Sequence, residues 1–359
     1  MKTITIDMCE RDLKKRFAPF SEYGNIKELV ESTFEEFGIE DALSEYKIPI
    51  QAVNLALKWY SNRYCKEYTA EIKAIADVMQ IDYVKMLVVN CYYDFTSAFF
   101  KYGSFMDFLN VFKKKIPLMG CTAFAYNSPD GPVLARNLDW DDKDELKDLT
   151  VIVNYKARLR KNSFKTVAYP GLSSVFSGVK KGAFAITLNM VESSDKEIDQ
   201  PATFLIRKVL ENAEDFDQAV KMLSEEPILS DCLLMVVGVN NGEMVVIERT
   251  PNRYAIRYPE NDFLVVTNDY RKLKEGKGGN SSGADLHDIL GSACTRYDGA
   301  VRCLKEKLPE TPADAYDILS DPDVFFGKIT DQQMVMCPAT GFIDARYPVA
   351  FSEDMAEKS

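Results

Sequence analysis

A thiol, a guanidinium and a carboxylate are the first groups in this chain whose types and spacing suggest chemistry. Cys121 heads one apolar run, and Arg136 and Asp139 close the next. Between them, Ser128-Pro129-Asp130-Gly131 supplies turn chemistry: Pro presets φ, Asp bonds locally and Gly tolerates positive φ. The pattern predicts a β-hairpin, with a first strand over 121–127 and a return over 132–136. The thiol at the head of one strand then faces a cation and a carboxylate at the tail of its neighbour. Gly120, just before the Cys, is the residue type that best permits an unusual backbone.

Other nucleophile chemistries are poorly served. The chain has one histidine, His287, in a polar segment after a Gly/Ser-rich loop, and it reads as a loop histidine. No Gly-x-Ser-x-Gly elbow is present, so a Ser-His-Asp enzyme lacks its serine. A nucleophile that carries its own base needs no histidine, and an α-amine with a free pKa of about 8 can be that base. The eight cysteines are scattered without a CxxC pair, so apart from Cys121 they read as buried free thiols. No metal site is expected without clustered Cys and His, and no cofactor is implied.

The elements that must position these groups alternate in type. Residues 3–6 read as a short strand, and 25–87 as helical. Leu29, Val30, Phe34 and Phe37 give one apolar face there, and Val53, Leu55, Ala56 and Trp59 begin another. Residues 96–119 are aromatic and end near Lys113-Lys114-Lys115. This stretch reads as an aromatic core helix with a solvated basic end, in preference to an acyl-chain tunnel lid or a membrane-dipping helix. After the hairpin, strands are expected over 149–156, 164–169 and 183–189, the last ending at Asn189. Two helices follow, over 203–210 and from about Asn212, where Phe216, Ala219, Val220 and Leu223 form one stripe. Strands over 232–239 and 244–248 flank Asn240-Asn241-Gly242, a hairpin signal. A strand over 263–267 leads to Asn268, and a Gly/Ser/Lys-rich loop covers 272–283. A helix over 293–304 carries Arg296, and strands over 332–337 and 341–346 close the chain. Strands, two helices, then strands again suggest two sheets between helical layers.

The ordered set Cys121-Thr122, Arg136-Asn137-Leu138-Asp139, Asn189, Asn268 and Thr295-Arg296 resembles the cysteine branch of the N-terminal nucleophile hydrolases. That branch includes acid ceramidase, N-acylethanolamine acid amidase, choloylglycine hydrolase and penicillin V acylase. Here the Arg follows the Cys by fifteen residues, one fewer than is usual in that branch. Met190, not Glu, follows Asn189, with Glu192 two residues on. The resemblance implies an α+β, four-layer αββα fold. It also implies self-cleavage between Gly120 and Cys121, dividing the chain into a helical segment, 1–120, and a catalytic domain, 121–359. The two pieces would stay together.

In that reading Cys121 is the nucleophile and its freed amine the base. Asp139 holds the amine, Arg136 lowers the thiol pKa and orients Asp139, and the oxyanion is bound by the Asn268 side chain and by Asn189, through its backbone or side chain. Arg296 pairs with a carboxylate or the main chain. The implied substrate is a small N-acyl amide, with an apolar pocket walled by the aromatic residues before Cys121 and by Pro170-Gly171-Leu172. An acyltransferase using the same acyl-enzyme, and an uncut binding scaffold, are the alternatives.

Composition bounds the rest. The 359 residues are 46% hydrophobic, enough for a large core. A formal net charge of −11 argues against nucleic acid as a partner and against anionic membranes. No apolar run is long enough for a membrane span, and the N-terminus lacks an apolar signal core, so the reading is a cytoplasmic protein with any membrane contact peripheral, through 96–119.

Overall fold

The computed structural model of the chain describes residues 1–28, 30–31, 50–102, 119–140, 149–159, 162–273, 292–326 and 329–348. His287, Leu29, Phe34, Phe37, Lys113-Lys114-Lys115, residues 103–118 of the aromatic stretch and 274–283 of the Gly/Ser/Lys loop lie outside them.

Two sheets face each other. One runs β1 (Lys2–Asp7), β4 (Val151–Lys156), β5 (Phe164–Ala168), β6 (Ser177–Lys180), β7 (Phe184–Met190), β8 (Cys232–Val237), β9 (Met244–Arg249), β10 (Tyr254–Arg257). The other runs β11 (Phe263–Val266), β2 (Met119–Tyr126), β3 (Val133–Trp140), β12 (Thr330–Cys337), β13 (Phe342–Arg346). All pairs are antiparallel except β1 with β4.

Alternation along each strand assigns the layers. On β8, Leu233, Met235 and Val237 meet Ala123, Ala125 and Leu134 of the other sheet. Cys232, Leu234 and Val236 face the opposite way, in the core that holds α6 (Ala202–Asn212) and α7 (Phe216–Glu225). On the second sheet, Phe124, Tyr126, Val133 and Val335 pack with Ala300 and Leu304 of α8 (Ala293–Glu306) and with Ile318 and Leu319 of α9 (Ala315–Leu319). The order is helices, sheet, sheet, helices, the expected αββα sandwich. Strands β7 and β8 are buried throughout because both of their faces are covered.

Small residues set how closely the layers approach. A Cβ on Gly178 would sit 2.6 Å from Leu210 Cδ1 and 3.1 Å from Lys165 O, so α6 rests directly on β6. Ala123 and Ala185 lie on facing strands and leave room for polar side chains to cross between the sheets.

Before the hairpin come α1 (Leu13–Phe17), a 3₁₀ turn over Ala18–Glu22, α2 (Ile50–Tyr64), α3 (Lys66–Met79), α4 (Tyr83–Asn90) and α5 (Tyr92–Tyr102). Residues 1–120 are not a separate body: β1 is an edge strand of the larger sheet, and Gly120 lies within β2. Their helices bury into the same core as α6 and α7. Leu55 and Trp59, expected on an apolar face, are 71% and 57% exposed. The packed stripe is instead Leu57, Tyr60, Ser61 and Tyr64, with the same helical period. Tyr60 meets Phe95 and Tyr64, and the Ser61 hydroxyl hydrogen-bonds Thr69 and Tyr83. Likewise α7 starts at Phe216 rather than near Asn212, because Asp215 is itself the N-cap and accepts from Gln218 N. Of the cysteines expected to be buried, Cys9 and Cys294 are exposed and Cys303 is half-buried.

Asp94 on α5 fastens the two segments. Its carboxylate accepts from Ala202 N at 2.6 Å and Thr203 Oγ1 at 2.7 Å, at the start of α6, and from Ser230 Oγ, just before β8. Burial pushes this carboxyl up to about 6, against donors that hold it down. A raised folded-state pKa means the folded chain binds the proton more tightly. The stabilisation is complete below about pH 4 and is lost as pH rises through 6. Two units correspond to about 3 kcal/mol. We expect wild type to lose about that much stability relative to Asp94→Asn between pH 4 and pH 7. Urea denaturation of both proteins across that range checks it, and a constant difference would contradict it.

Candidate active site

The turn between β2 and β3 forms as its residues dictate. Gly131 N donates to Ser128 O at 3.1 Å, and Gly131 takes a φ of +108° beside Val239 O, where a side chain does not fit. The register follows: Cys121 pairs with Leu138, Ala123 with Arg136 and Gly120 with Asp139. Opposed residues share a face and successive ones alternate. Cys121 and Arg136 therefore point between the sheets, whereas Thr122, Asn137 and Asp139 point at α8 and α9.

On the inter-sheet side, Arg136 is fully buried. Its Nη2 donates to Cys121 Sγ at 3.0 Å and to Leu188 O at 2.5 Å, and its Nη1 donates to Ser177 Oγ at 2.8 Å. Asn189 reaches across from β7: its Nδ2 donates to Thr267 O at 2.9 Å, Val266 O at 3.2 Å and, more weakly, Cys121 O at 3.4 Å.

The main chain of Cys121 is held from the other side. Cys121 N donates to Asn268 Oδ1 at 3.1 Å, and Arg296 Nη2 donates to the same oxygen at 2.8 Å. Asn268 Nδ2 donates to Met190 O at 2.8 Å. Two donors on one end and a carbonyl on the other leave a single amide orientation that satisfies all three. Arg296 Nη1 donates to Cys121 O at 2.7 Å and to Thr122 Oγ1 at 2.8 Å, and lies 3.7 Å from Asp139 Oδ2. Asp139 Oδ1 accepts from Thr330 Oγ1 at 2.6 Å.

The structure thus gathers all six sequence-derived residues around Gly120–Cys121, with Arg296 on a carboxylate and the main chain as expected, but other pairings differ. Arg136 does not bond Asp139: three residues apart on one strand, they sit on opposite faces. Arg296 pairs with Asp139 instead. Arg136 does lower the thiol pKa, by its charge and its hydrogen bond, but burial pushes the Cys121 thiol up by more. Burial likewise raises Asp139 and lowers Arg296, each partly offset by the other. The group on Cys121 N is the Asn268 amide oxygen, not Asp139. Asn189 directs its amide hydrogens at carbonyls, while Asn268 keeps one N–H beyond that given to Met190 O. Ser177 and Thr330, which fix Arg136 and Asp139, were not foreseen. They lie 41 and 191 residues from their partners, and single serines and threonines in strands carry no signal of such a role.

An apolar cavity adjoins the site along the chain: its lining includes Trp140, next to Asp139, and Phe176, next to Ser177, but not Cys121 itself. Ile26, Val30, Met86, Val89 and Tyr92 line it from before Gly120, and Trp140, Tyr169, Pro170, Leu172 and Phe176 from after. Pro170 and Leu172 were expected there, whereas the aromatic residues of 103–118 lie outside the described residues. Phe176 adjoins Ser177, and Trp140 packs on Tyr92 with ring centres 5.0 Å apart.

Removing Arg296 leaves Asp139 buried without its cation. We expect Arg296→Met to cost about 3–5 kcal/mol at pH 7, and less at low pH, where the carboxyl takes a proton and the unpaired charge disappears. Adding Asp139→Asn to that variant is expected to recover part of the loss. Denaturation of the single and double variants at pH 7 and pH 4 measures both effects. A pH-independent, additive penalty would contradict the pairing.

The sequence model of a family described as acyl-coenzyme A:6-aminopenicillanic acid acyl-transferase matches residues 126–326, a span that holds Arg136, Asp139, Asn189, Asn268 and Arg296 but not Cys121. Among curated proteins, the chain is 29% identical over 244 residues to an N-acylethanolamine-hydrolyzing acid amidase of Caenorhabditis elegans, covering 61% of this chain and 63% of that one. It is 26% identical over 237 residues to an acid ceramidase of Bos taurus, covering 58% and 54%. The chain therefore spans roughly three-fifths of the length of these relatives. Among solved structures it is similar to the Caenorhabditis elegans acid amidase ortholog, with a TM-score of 0.49 and 24% identity, covering 61% of this chain and 93% of that one. It is also similar to a mutant conjugated bile acid hydrolase of Clostridium perfringens, with a TM-score of 0.44 and 14% identity, covering 63% and 89%. The family match extends over more than half of the chain, which belongs to the acyl-coenzyme A:6-aminopenicillanic acid acyl-transferase family.

Proposed function

We propose that this protein is an amidohydrolase that cuts its own Gly120–Cys121 bond and then cleaves a linear, non-peptide N-acyl amine through a thioester on Cys121. One observation carries the reading. The N–H of Cys121 is already held by Asn268 Oδ1 while its sulphur is held by Arg136 Nη2. Breaking the preceding peptide bond turns that N–H into an amine beside the thiol, with partners in place for both.

In the first step Cys121 Sγ attacks the Gly120 carbonyl, the acyl group shifts from nitrogen to sulphur, and water hydrolyses the thioester. This frees the Gly120 carboxylate, the Cys121 amine and the thiol. In turnover the amine takes the thiol proton, the sulphur attacks the substrate carbonyl, and the leaving amine departs with a proton. Water then releases the acid. The second N–H of Asn268 supports a role in holding the oxyanion; removing such a donor typically costs about a hundred- to a thousandfold in rate. Pairing of β1 with β4, and the Glu71–Arg207 ion pair at 3.5 Å, support the two pieces staying together.

The curated relatives are named as an N-acylethanolamine-hydrolyzing acid amidase and an acid ceramidase, which supports an acyl amide as the substrate class. The apolar cavity supports an acyl chain as the part recognised here. The family's description favours a second reading, in which an amine rather than water takes the acyl group.

A panel of fluorogenic N-acyl amides of graded acyl length tests the proposal. Wild type is expected to turn over long-chain members, and Cys121→Ala none. Leu172→Trp, which fills the cavity, is expected to cost long chains about tenfold or more in kcat/KM and short chains little. Activity retained by Cys121→Ala would overturn the mechanism. Added amine acceptors that capture the acyl group would favour the transferase.

A further inference from the structure

Asn268 sits just beyond the end of β11, so the sheet ladder does not hold the turn it belongs to. A buried carboxylate on β9 does. Glu248 is fully buried on the inter-sheet face. Its Oε1 accepts from Arg257 Nε at 2.9 Å and Arg271 N at 3.1 Å. Its Oε2 accepts from Lys272 N at 2.8 Å and Leu273 N at 2.6 Å. Three consecutive backbone N–H groups thus converge on one side chain, and Arg257 balances its charge. The next residue continues the grip, since Arg249 O accepts from Tyr270 Oη at 2.8 Å. On the far side, the Arg271 guanidinium lies over the Tyr297 ring, 3.3 Å from its centre, next to Arg296 on α8.

We propose that Glu248 is a positioning residue for the reaction: it fixes the 270–273 turn and thereby aims Asn268 at the nitrogen of Cys121. The inference rests on the amidase reading for its kinetic consequence, but not for its geometric one. Only two residues separate Asn268 from Arg271, so a turn released from Glu248 displaces the Asn268 amide. A displacement of about 1 Å at such a group can cost on the order of a hundredfold in rate.

Glu248→Gln keeps the volume but sets an NH₂ group against donors on one side of the fork. Glu243→Gln is a matched control. Glu243 also accepts backbone N–H groups, from Val239 at 2.8 Å and Asn240 at 3.0 Å. It does so at the β8–β9 turn, beside Asn127 at the opposite end of β2 from Cys121. In the full chain, Glu248→Gln is expected to lower kcat by about 10- to 100-fold with KM within about twofold, well below its melting temperature. Glu243→Gln is expected to lose stability without loss of kcat. Independently, in a Cys121→Ala background, Glu248→Gln is expected to speed hydrogen exchange of the residue 121 amide by about tenfold or more as its acceptor moves away. Should Glu248→Gln not fold, Glu248→Asp, which keeps the charge but withdraws the oxygens, takes its place in both arms.

Equal kcat values for the Glu248 and Glu243 variants, or unchanged exchange at residue 121, would overturn the proposal. A wild type that turns over no N-acyl amide would sink the amidase reading instead, and the exchange arm would then decide the role of Glu248 alone.

Discussion

The Arg296 guanidinium is the interaction on which the site depends. It is buried at the start of α8, where an unmet charge would be costly, and its hydrogens go to Cys121 O, Thr122 Oγ1, Asn268 Oδ1 and Ser292 Oγ. Asp139 supplies the opposing charge from β3, and Thr330 of β12 fixes that carboxylate. One planar cation thereby locks β2, β3 and the turn after β11 into a single arrangement. The geometry around Cys121 follows from satisfying this ion out of water.

The sandwich explains why so many polar groups can meet here. Two sheets lined by alanine and medium aliphatics approach closely, and side chains from one reach the main chain of the other. Asn189 does this from β7 and Arg136 from β3. Most such groups are paired, as burial demands. Among the described residues, three buried atoms close to Cys121 are left without hydrogen-bond partners: Asp139 Oδ2, Arg136 Nε and Asn189 Oδ1.

Much of this was legible before any coordinates. The hairpin could be read because Ser128-Pro129-Asp130-Gly131 leaves the backbone few alternatives, and the αββα order followed from where strands gave way to helices. The separation of Arg136 from Asp139 was legible too, in the odd spacing between them, once the register was known. The grips that come from far away in the chain were not. Nothing local marks Ser177 as the seat of Arg136, Thr330 as the partner of Asp139, or Glu248 as the anchor of the turn after Asn268. Burial was misjudged where chemistry mattered more than hydrophobicity: α2 packs through Tyr60 and Ser61, which find Phe95, Thr69 and Tyr83 on other helices, while Trp59 meets Tyr64 and Arg63 of its own helix. The pull of Arg136 on the thiol was legible, but the opposing effect of burial was not, since a sequence shows a neighbouring charge but not the loss of water around it.

The central claim is that residue 121 is poised to become a chain terminus with its amine and thiol already held. N-terminal sequencing with intact-mass measurement of the purified protein, incubated at mildly acidic and neutral pH, tests it directly. The account predicts that the 40.6 kDa chain gives way to two pieces, the larger beginning Cys-Thr-Ala-Phe, and that Cys121→Ala stays whole. A wild-type chain that stays whole under both conditions, or a new terminus at any other residue, would contradict it.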